Sequence, residues 1–144
     1  MEQQRNRCAL VNFVREAHQG QTDKSGLDYF ESHLLPVARS VPADLYFAAL
    51  AHDILEDTPT TTDDLKGAGF SAFEIQLIGL LTKPPKREFD YHYYLDQIAK
   101  NPYAKIIKVM DIVNNLSRMS TIDDEETSAR LINKYLDALA RLKF

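Results

Sequence analysis

The strongest constraint on the fold is the spacing of apolar residues, which recur every three to four positions along most of the chain. This spacing is typical of amphipathic α-helices, and no segment shows the sustained two-residue alternation of a half-buried strand. Glycine or proline interrupts the pattern at Gly20, Pro42, Pro59 and Pro84, as expected where helices end or begin. The sequence therefore predicts an all-α fold of about seven to eight helices, forming one domain over residues 1–144.

Local capping signals place the helix boundaries. Ser71 opens a capping-box pattern, Asn101 stands before a proline at a first helical position, and Thr62 or Asp63 is expected to cap a short helix. The third helix contains the run AALAHDIL and should be the most buried. The last helix either closes the bundle or forms a dimer face. The predicted helices cover about residues 5–18, 29–39, 43–56, 62–67, 71–82, 90–99, 101–119 and 124–144.

Composition excludes several classes of partner. The net charge of −4 argues against binding to a nucleic-acid duplex, which needs basic patches to neutralise phosphates. No apolar run approaches the roughly 18 residues of a membrane helix, and the N-terminus lacks a secretory signal pattern. Cys8 is the single cysteine, so we expect a cytoplasmic protein in which Cys8 is a small buried side chain. Two basic groupings, 83–87 and 100–108, are either solvated or bind the phosphates of a small ligand.

A cluster of ionisable residues interrupts the third helix. His52 and Asp53 lie within its most apolar stretch, where an unpaired charge is costly. Glu56 and Asp57 follow at helical spacing, so all four side chains gather near one end of the helix. Three carboxylates so close repel one another unless a positive charge compensates them. A divalent cation would supply that charge; the alternative is that Glu56 and Asp57 are a solvated helix end.

Further metal ligands would have to come from other helices. His33 lies beside an apolar run in the second helix, and Asp111 interrupts another apolar run near the end of the chain. Each alone is more typical of a satisfied core or surface residue. Together with His52 and Asp53 they would form a mixed nitrogen and oxygen shell suited to Mn²⁺, Fe²⁺, Zn²⁺ or Co²⁺. Its remaining positions would hold water and substrate oxygens.

This order of residues, His, His-Asp and Asp on successive helices, resembles the HD superfamily of metal-dependent phosphohydrolases. More closely, the chain resembles the hydrolase domain of RelA/SpoT-type enzymes, especially stand-alone guanosine polyphosphate 3′-pyrophosphohydrolases. The resemblance implies an HD-type helical bundle, and it covers so much of the chain that no alarmone synthetase domain is expected. The segments that carry it are AHQGQ at 17–21, SHLLPVA at 32–38, AALAHDILEDT at 48–58, LLTK at 80–83 and IKVMDIVNNL at 107–116.

The resemblance implies a role for each matching residue and a nucleotide substrate, (p)ppGpp, whose 3′-diphosphate leaves as pyrophosphate. Glu56 and Asp57 would orient or deprotonate the attacking water, and Asn115 would bind the ribose or 3′-phosphate side of the nucleotide. Lys24 and Ser25, in the loop before the second helix, would also contact substrate. One divalent ion, most readily Mn²⁺, would be held by His33, His52, Asp53 and Asp111.

Three positions depart from the family pattern. Members often have His-Pro where this chain has His33-Leu34, and Asn114 stands where His, Tyr or Asp is more usual. Asp23 occupies the place of an arginine that packs on the guanine, unless Lys24 takes that place after a shift. The altered loop favours a second hypothesis, an HD phosphohydrolase of a (d)NTP, another 3′-phosphorylated nucleotide or NADPH. A third hypothesis, an inactive nucleotide-binding module, predicts loss of a metal- or water-handling residue.

Two histidines and three tyrosines remain outside these assignments. His18 and His92 are expected at helix surfaces. Tyr91, Tyr93 and Tyr94 are expected to pack their helix, or alternatively to touch a base.

Overall fold

The computed structural model describes residues 6–85, 89–119 and 124–143. Within these ranges the regular structure is helical apart from one isolated bridge between Thr22 and Asp28, which confirms the all-α prediction. A π-helical turn, Phe30–Leu34, leads into α2, and a 3₁₀ turn, Ala43–Leu45, leads into α3. The helices are α1 Arg7–Ala17, α2 Leu35–Arg39, α3 Tyr46–Leu50, α4 Ile54–Asp57, α5 Thr62–Ala68, α6 Ala72–Leu81, α7 Tyr91–Ala99, α8 Pro102–Ser117 and α9 Glu125–Arg141.

Most helices begin at a side-chain cap. Ser71 and Glu74 form the predicted capping box of α6, and Asn101 accepts the predicted backbone hydrogen bonds at the start of α8. The cap of α5 is one residue earlier than predicted. The hydroxyl of Thr61 accepts a hydrogen bond from the backbone N–H of Asp64, while the Asp64 carboxylate accepts one from the backbone N–H of Thr61. This reciprocal pair favours Thr61 over Thr62 or Asp63 as the cap.

The third predicted helix is not continuous. Regular α-helix ends at Leu50 and resumes at Ile54, and the intervening residues form tight turns with i→i+3 hydrogen bonds from His52 to Ala49 and from Ile54 to Ala51. Asp53 has φ −101° and ψ 1°, in the sparsely populated bridge region where active-site residues are often found. A 3₁₀-like interruption inside a helix commonly marks a functional or strained segment. The break therefore falls on the His-Asp pair.

The core is centred on α3 and α8. Helix α3 packs against α1, α2 and α6, while α8 packs against α2, α6, α7 and α9. The segment 48–51 is fully buried, as predicted for the third helix, and its alanines allow neighbouring helices to approach closely. No helix in the described ranges has both the length and the apolar character needed to cross a membrane.

Two predictions of burial in and after α1 are wrong. Cys8 is exposed, whereas His18, expected at the surface, has 0% exposure. The buried face of this segment runs through Leu10, Val14 and His18, which are four residues apart, so they share one helical face. Cys8 is two positions from Leu10, about 200° around the helix, and therefore points away from the core.

Candidate active site

The four predicted metal ligands converge from three segments. The π-helical turn carries His33, the break between α3 and α4 carries His52 and Asp53, and α8 carries Asp111. The Oδ1 atom of Asp111 lies 2.9 Å from Nε2 of His33 and 3.4 Å from Nε2 of His52, and His52 Nε2 lies 3.3 Å from Oδ2 of Asp53. Ligand atoms of His33, His52 and Asp53 all lie within 4.8 Å of one another.

The histidine tautomers fit a bound cation. Nδ1 of His52 is 2.6 Å from the carbonyl oxygen of Ala49, and Nδ1 of His33 is 2.6 Å from Oδ1 of Asn114. Both partners are acceptors, so each Nδ1 carries a proton and each ring directs its Nε2 towards carboxylate oxygens. Burial lowers the pKa of His52, but the neighbouring Asp53 and Asp111 carboxylates outweigh this effect and raise that pKa well above its ordinary value. His52 Nε2 is buried without a hydrogen-bond partner. Metal-binding histidines are commonly oriented in this way through the second nitrogen, so the four residues could hold a divalent ion.

Tyr29 orients one of the candidate ligands. Its hydroxyl donates a hydrogen bond of 2.5 Å to Oδ2 of Asp53, and its ring lies 5.1 Å from that of His33 between centroids. Burial and the neighbouring Asp53 carboxylate raise the pKa of Tyr29, which keeps the hydroxyl protonated as a donor. Tyr29 is a site residue missed by the predictions from sequence; its four-residue spacing from His33 is the signal that could have indicated it.

Lys108, from the basic grouping 100–108, pairs with another candidate ligand. Its Nζ lies 3.0 Å from Oδ2 of Asp111, and the residue is 8% exposed. Burial alone would raise the pKa of Asp111, but Lys108, His52 and His33 outweigh this effect and hold that pKa well below its ordinary value. Asp111 is therefore kept ionised, with one oxygen held by Lys108 and the other facing both histidines. The three-residue spacing of Lys108 and Asp111 predicts such a pair.

Glu56 and Asp57 lie beside the candidate metal centre. Both line a cavity of about 130 Å³ together with Asp53 and Asp111. An Oε1 atom of Glu56 accepts a hydrogen bond of 2.9 Å from the backbone N–H of Lys83. Asp57 is partly exposed, and its partial desolvation at the cavity, followed by the charges of Asp53 and Glu56, raises its pKa to about 6. Glu56 and Asp57 thus line the same small cavity as two of the converging residues, Asp53 and Asp111.

The lining of this cavity is also cationic and aromatic. Lys83, Lys108 and Lys134 line it, and burial together with these neighbouring charges lowers the pKa of Lys134. Lys108 is already paired with Asp111, whereas an anion placed between Lys83 and Lys134 would offset the repulsion of these like charges, so this lining suits a phosphate group. Lys83 and Lys108 belong to the two basic groupings expected either to be solvated or to bind phosphates; residues 86–87 of the first grouping lie outside the described residues. Tyr91, Tyr94 and Tyr135 complete the wall.

The tyrosines of α7 do not act alike. Tyr94 is buried, and its hydroxyl donates to the carbonyl oxygen of Leu81 at 2.5 Å, which is the packing role predicted for it. Tyr91 is half-buried at the cavity wall, whereas Tyr93 is exposed. His92 is exposed, as predicted, and its Nε2 lies 3.4 Å from Oδ2 of Asp137.

A second cavity of about 300 Å³ adjoins the first. The three predicted substrate-binding residues, Lys24, Ser25 and Asn115, all line it. Tyr29, Asn115 and Tyr135 line both cavities, so the two share part of their walls. The volume of the larger cavity, about 300 Å³, lies at the lower end of the range for small-molecule sites. A ligand could therefore extend from the loop before α2 to the candidate metal centre.

Buried His18 is linked to this centre through Gln21. Nδ1 of His18 lies 2.7 Å from Oε1 of Gln21, and the amide of Gln21 donates to the backbone carbonyl of Asp57 at 3.1 Å. The link fixes the end of α4 relative to the loop, which explains why His18 is drawn into the interior rather than left at the helix surface.

The chain is similar in sequence to curated guanosine polyphosphate hydrolases. It is 29% identical to the guanosine-3′,5′-bis(diphosphate) 3′-pyrophosphohydrolase MESH1 of Danio rerio, over 88% of this chain and 76% of that protein. It is 35% identical to the bifunctional (p)ppGpp synthase/hydrolase SpoT of Escherichia coli K12 and 28% identical to a 3′-pyrophosphohydrolase of Haemophilus influenzae. Each match covers 76% of this chain but only 17% and 18%, respectively, of those longer proteins. No protein-family model matches the chain.

A solved structure has the same fold. It belongs to a metazoan ortholog of SpoT, described as hydrolysing ppGpp and acting in starvation responses, and it matches with a TM-score of 0.75 over 94% of this chain and 84% of that one. Sequence identity in this match is 18%, so it bears on fold alone. The predicted HD-type helical bundle and the resemblance to RelA/SpoT-type hydrolases are thereby confirmed.

Proposed function

We propose that this chain is a metal-dependent phosphohydrolase that removes the 3′-diphosphate of (p)ppGpp and releases pyrophosphate with GDP or GTP. The observation that carries the proposal is the convergence of two histidines and two aspartates beside a pair of carboxylates and a wall of lysines. The activities named for the similar proteins support the same substrate class.

His33, His52, Asp53 and Asp111 would hold one divalent ion, for which Mn²⁺ is our first choice and Fe²⁺, Zn²⁺ and Co²⁺ are alternatives. Such an ion, when bound, polarises a phosphoryl oxygen and makes water easier to deprotonate. The hydrogen bond from Tyr29 to Asp53 and that from His33 to Asn114 hold two of these side chains in position. Lys108 keeps Asp111 ionised at neutral pH.

Glu56 and Asp57 would act on the attacking water. The pKa of Asp57 is about 6, which suits a general base working near neutral pH. Glu56 is fixed by the backbone N–H of Lys83, so its second carboxylate oxygen can orient the water. These two residues share the cavity with Asp53 and Asp111, which puts them within reach of a phosphate held there.

The nucleotide would extend across both cavities. Lys83, Lys108 and Lys134 would neutralise the diphosphate and so favour departure of pyrophosphate. Asn115 lines both cavities, and this position suits contact with the ribose or its 3′-phosphate. Lys24 and Ser25 would contact the nucleoside side of the substrate in the larger cavity.

One observation favours a second candidate function. Asp23 lines the larger cavity where related hydrolases carry an arginine, so the base could differ from guanine. The alternative substrates are a (d)NTP, another 3′-phosphorylated nucleotide or NADPH. A non-catalytic nucleotide-binding module is disfavoured, because all six residues expected for metal binding and water activation are present and close together. Cytoplasmic location, a single domain and the absence of a duplex nucleic-acid partner remain predictions.

The test is Mn²⁺-dependent release of pyrophosphate from ppGpp by the purified chain, resolved by ion-exchange chromatography, with GTP, dNTPs and NADPH in parallel. We expect conversion of ppGpp to GDP that is lost with EDTA and in Asp53→Ala. The matched control is Asp96→Ala, which removes an exposed aspartate paired with Arg141 and should retain full turnover. Cleavage of another nucleotide without ppGpp turnover would favour the second candidate, and no turnover of any substrate would contradict enzymatic function.

A further inference from the structure

An ion pair closes one side of the larger cavity. The carboxylate of Asp23, in the loop before α2, binds the guanidinium of Arg118, which follows the last residue of α8. These residues are 95 positions apart in the chain, and both line the cavity. The side chain of Asp23 is 3% exposed, and that of Arg118 is 23% exposed. The pair thus joins the loop to α8 at the cavity wall.

Asp23 is committed to internal contacts. Its Oδ1 accepts backbone N–H hydrogen bonds from Ser25 at 2.8 Å and from Leu27 at 3.0 Å, and its Oδ2 accepts one from Arg118. Burial raises the pKa of Asp23, but these hydrogen bonds and the guanidinium charge outweigh it and lower the pKa overall. Asp23 is consequently an ionised positioning residue that holds the loop and Arg118, rather than an acceptor directed at a ligand.

Arg118 is held in a plane by these contacts. One terminal nitrogen, Nη1, binds Asp23, and the other, Nη2, lies 3.5 Å from Oδ1 of Asn115. Hydrogen bonds of a guanidinium lie in its plane, whereas bases and aromatic rings stack on its faces. The contact from Arg118 also directs the amide oxygen of Asn115 towards the arginine, so the amide N–H groups are available to donate to a ligand. The two residues are therefore oriented as a unit.

The composition of the cavity suits a nucleobase. Besides Arg118 it is lined by the aromatic rings of Tyr29 and Tyr135 and by the thioether of Met119, and it opens towards the lysine-lined cavity through shared residues. Aromatic rings and arginine planes are the usual stacking surfaces for unpaired bases. The polar groups that could read the edge of the base come from Ser25 and Lys24.

We propose that Arg118, held by Asp23, is the base-stacking and specificity-determining residue of this chain, supplied from the end of α8 instead of from the loop. The aspartate in the loop then does not remove base recognition but anchors the arginine that provides it. This inference rests on the proposed function, since it concerns the base of the nucleotide hydrolysed at the adjoining metal centre.

The test compares ppGpp with an analogue that has the same ribose and phosphates but lacks the base. Arg118→Gln should raise the KM for ppGpp about tenfold, the expected effect of losing one stacking contact, with a smaller effect on kcat. The KM for the base-free analogue should stay within twofold of that of the wild type. Arg118→Lys keeps the charge and the pairing with Asp23 but has no planar face, so it should resemble Arg118→Gln.

The matched control is Arg141→Gln, which removes the guanidinium of an exposed ion pair with Asp96 and should leave both KM values unchanged. Equal losses on the two substrates, or wild-type behaviour in Arg118→Lys, would overturn the stacking role. Because Arg118→Lys preserves the ion pair, it tests the inference even where Arg118→Gln impairs folding. Absence of ppGpp turnover in the wild type would contradict the proposed function itself, and is thus distinguishable from failure of the inference.

Discussion

The candidate metal centre and the proposed base cavity are adjacent but are built in different ways. The side chains of the centre come from the π-helical turn, the break between α3 and α4, and α8. Short contacts to Asn114, Ala49, Tyr29 and Lys108 hold them in place. The cavity is formed by an irregular loop and the end of α8, tied together by the ion pair of Asp23 and Arg118. This difference indicates that the chemistry is fixed by the packing of the core, while substrate recognition depends on a segment that can change without altering that core.

The largest effect is expected from His52. His52→Ala removes a buried ligand of the candidate metal centre and should abolish turnover of ppGpp. Lys24→Ala, in the exposed loop, should leave kcat within severalfold and act mainly on KM. Steady-state kinetics give kcat and KM for ppGpp in both variants. Turnover in His52→Ala comparable with that in Lys24→Ala would contradict the proposed difference between the two regions.

Glu56→Ala should have the next largest effect. Glu56 touches the backbone of Lys83 and lies at the cavity without being among the converging ligands. We expect a loss of kcat of roughly 10²–10⁴-fold, the typical contribution of a positioned acid–base group, with metal binding retained. Steady-state kinetics measure the loss of kcat, and titration with Mn²⁺ measures whether metal binding is retained. Unchanged activity with metal still bound would remove Glu56 from the mechanism.

Most helix boundaries and the candidate ligands that converge in the structure could be predicted because their signals are local. Caps such as Ser71 and Asn101 act on the adjoining turn, and polar residues in apolar runs identify the His-Asp pair. The break after Leu50 and the burial of His18 could not be predicted, since both depend on partners that the fold brings together, such as Gln21 and Asp57. The pairing of Asp23 with Arg118 is likewise a long-range contact.

Asn114→Leu should have an intermediate effect. The amide oxygen of Asn114 lies 2.6 Å from Nδ1 of His33 and fixes the tautomer that presents Nε2 to Asp111. Removing such an outer partner typically weakens metal affinity by about 10–100-fold. Calorimetric titration with Mn²⁺ measures the change in metal affinity. The control is Asn133→Leu, at an exposed position of α9. Wild-type affinity in Asn114→Leu would show that His33 is oriented by other contacts.

The smallest expected effect is a pH dependence of stability in the metal-free protein. The pKa of Asp57 in the folded chain is about 6, above its ordinary value of 3.8, because of burial and the charges of Asp53 and Glu56. The folded state therefore binds the carboxyl proton of Asp57 more tightly than the unfolded state does. The stabilisation that this proton provides is lost as pH rises from about 4 to 6. Asp57→Asn cannot ionise and should remove this part of the pH dependence.

Urea unfolding of the wild type and of Asp57→Asn at several pH values between 4 and 7 measures that difference. We expect the wild type to lose stability relative to the variant as pH rises through this range. Parallel curves for the two proteins would show that Asp57 has an ordinary pKa in the folded state and would weaken its assignment as a general base near neutral pH.

The most direct test of the account is the metal stoichiometry of the wild type, Asp111→Ala and Glu56→Ala, measured by elemental analysis after equilibration with Mn²⁺ and removal of free ion. The four-ligand centre predicts one ion per chain in the wild type and in Glu56→Ala, and none in Asp111→Ala. Equal metal content in the wild type and Asp111→Ala would contradict the assignment of these converging side chains as the metal centre.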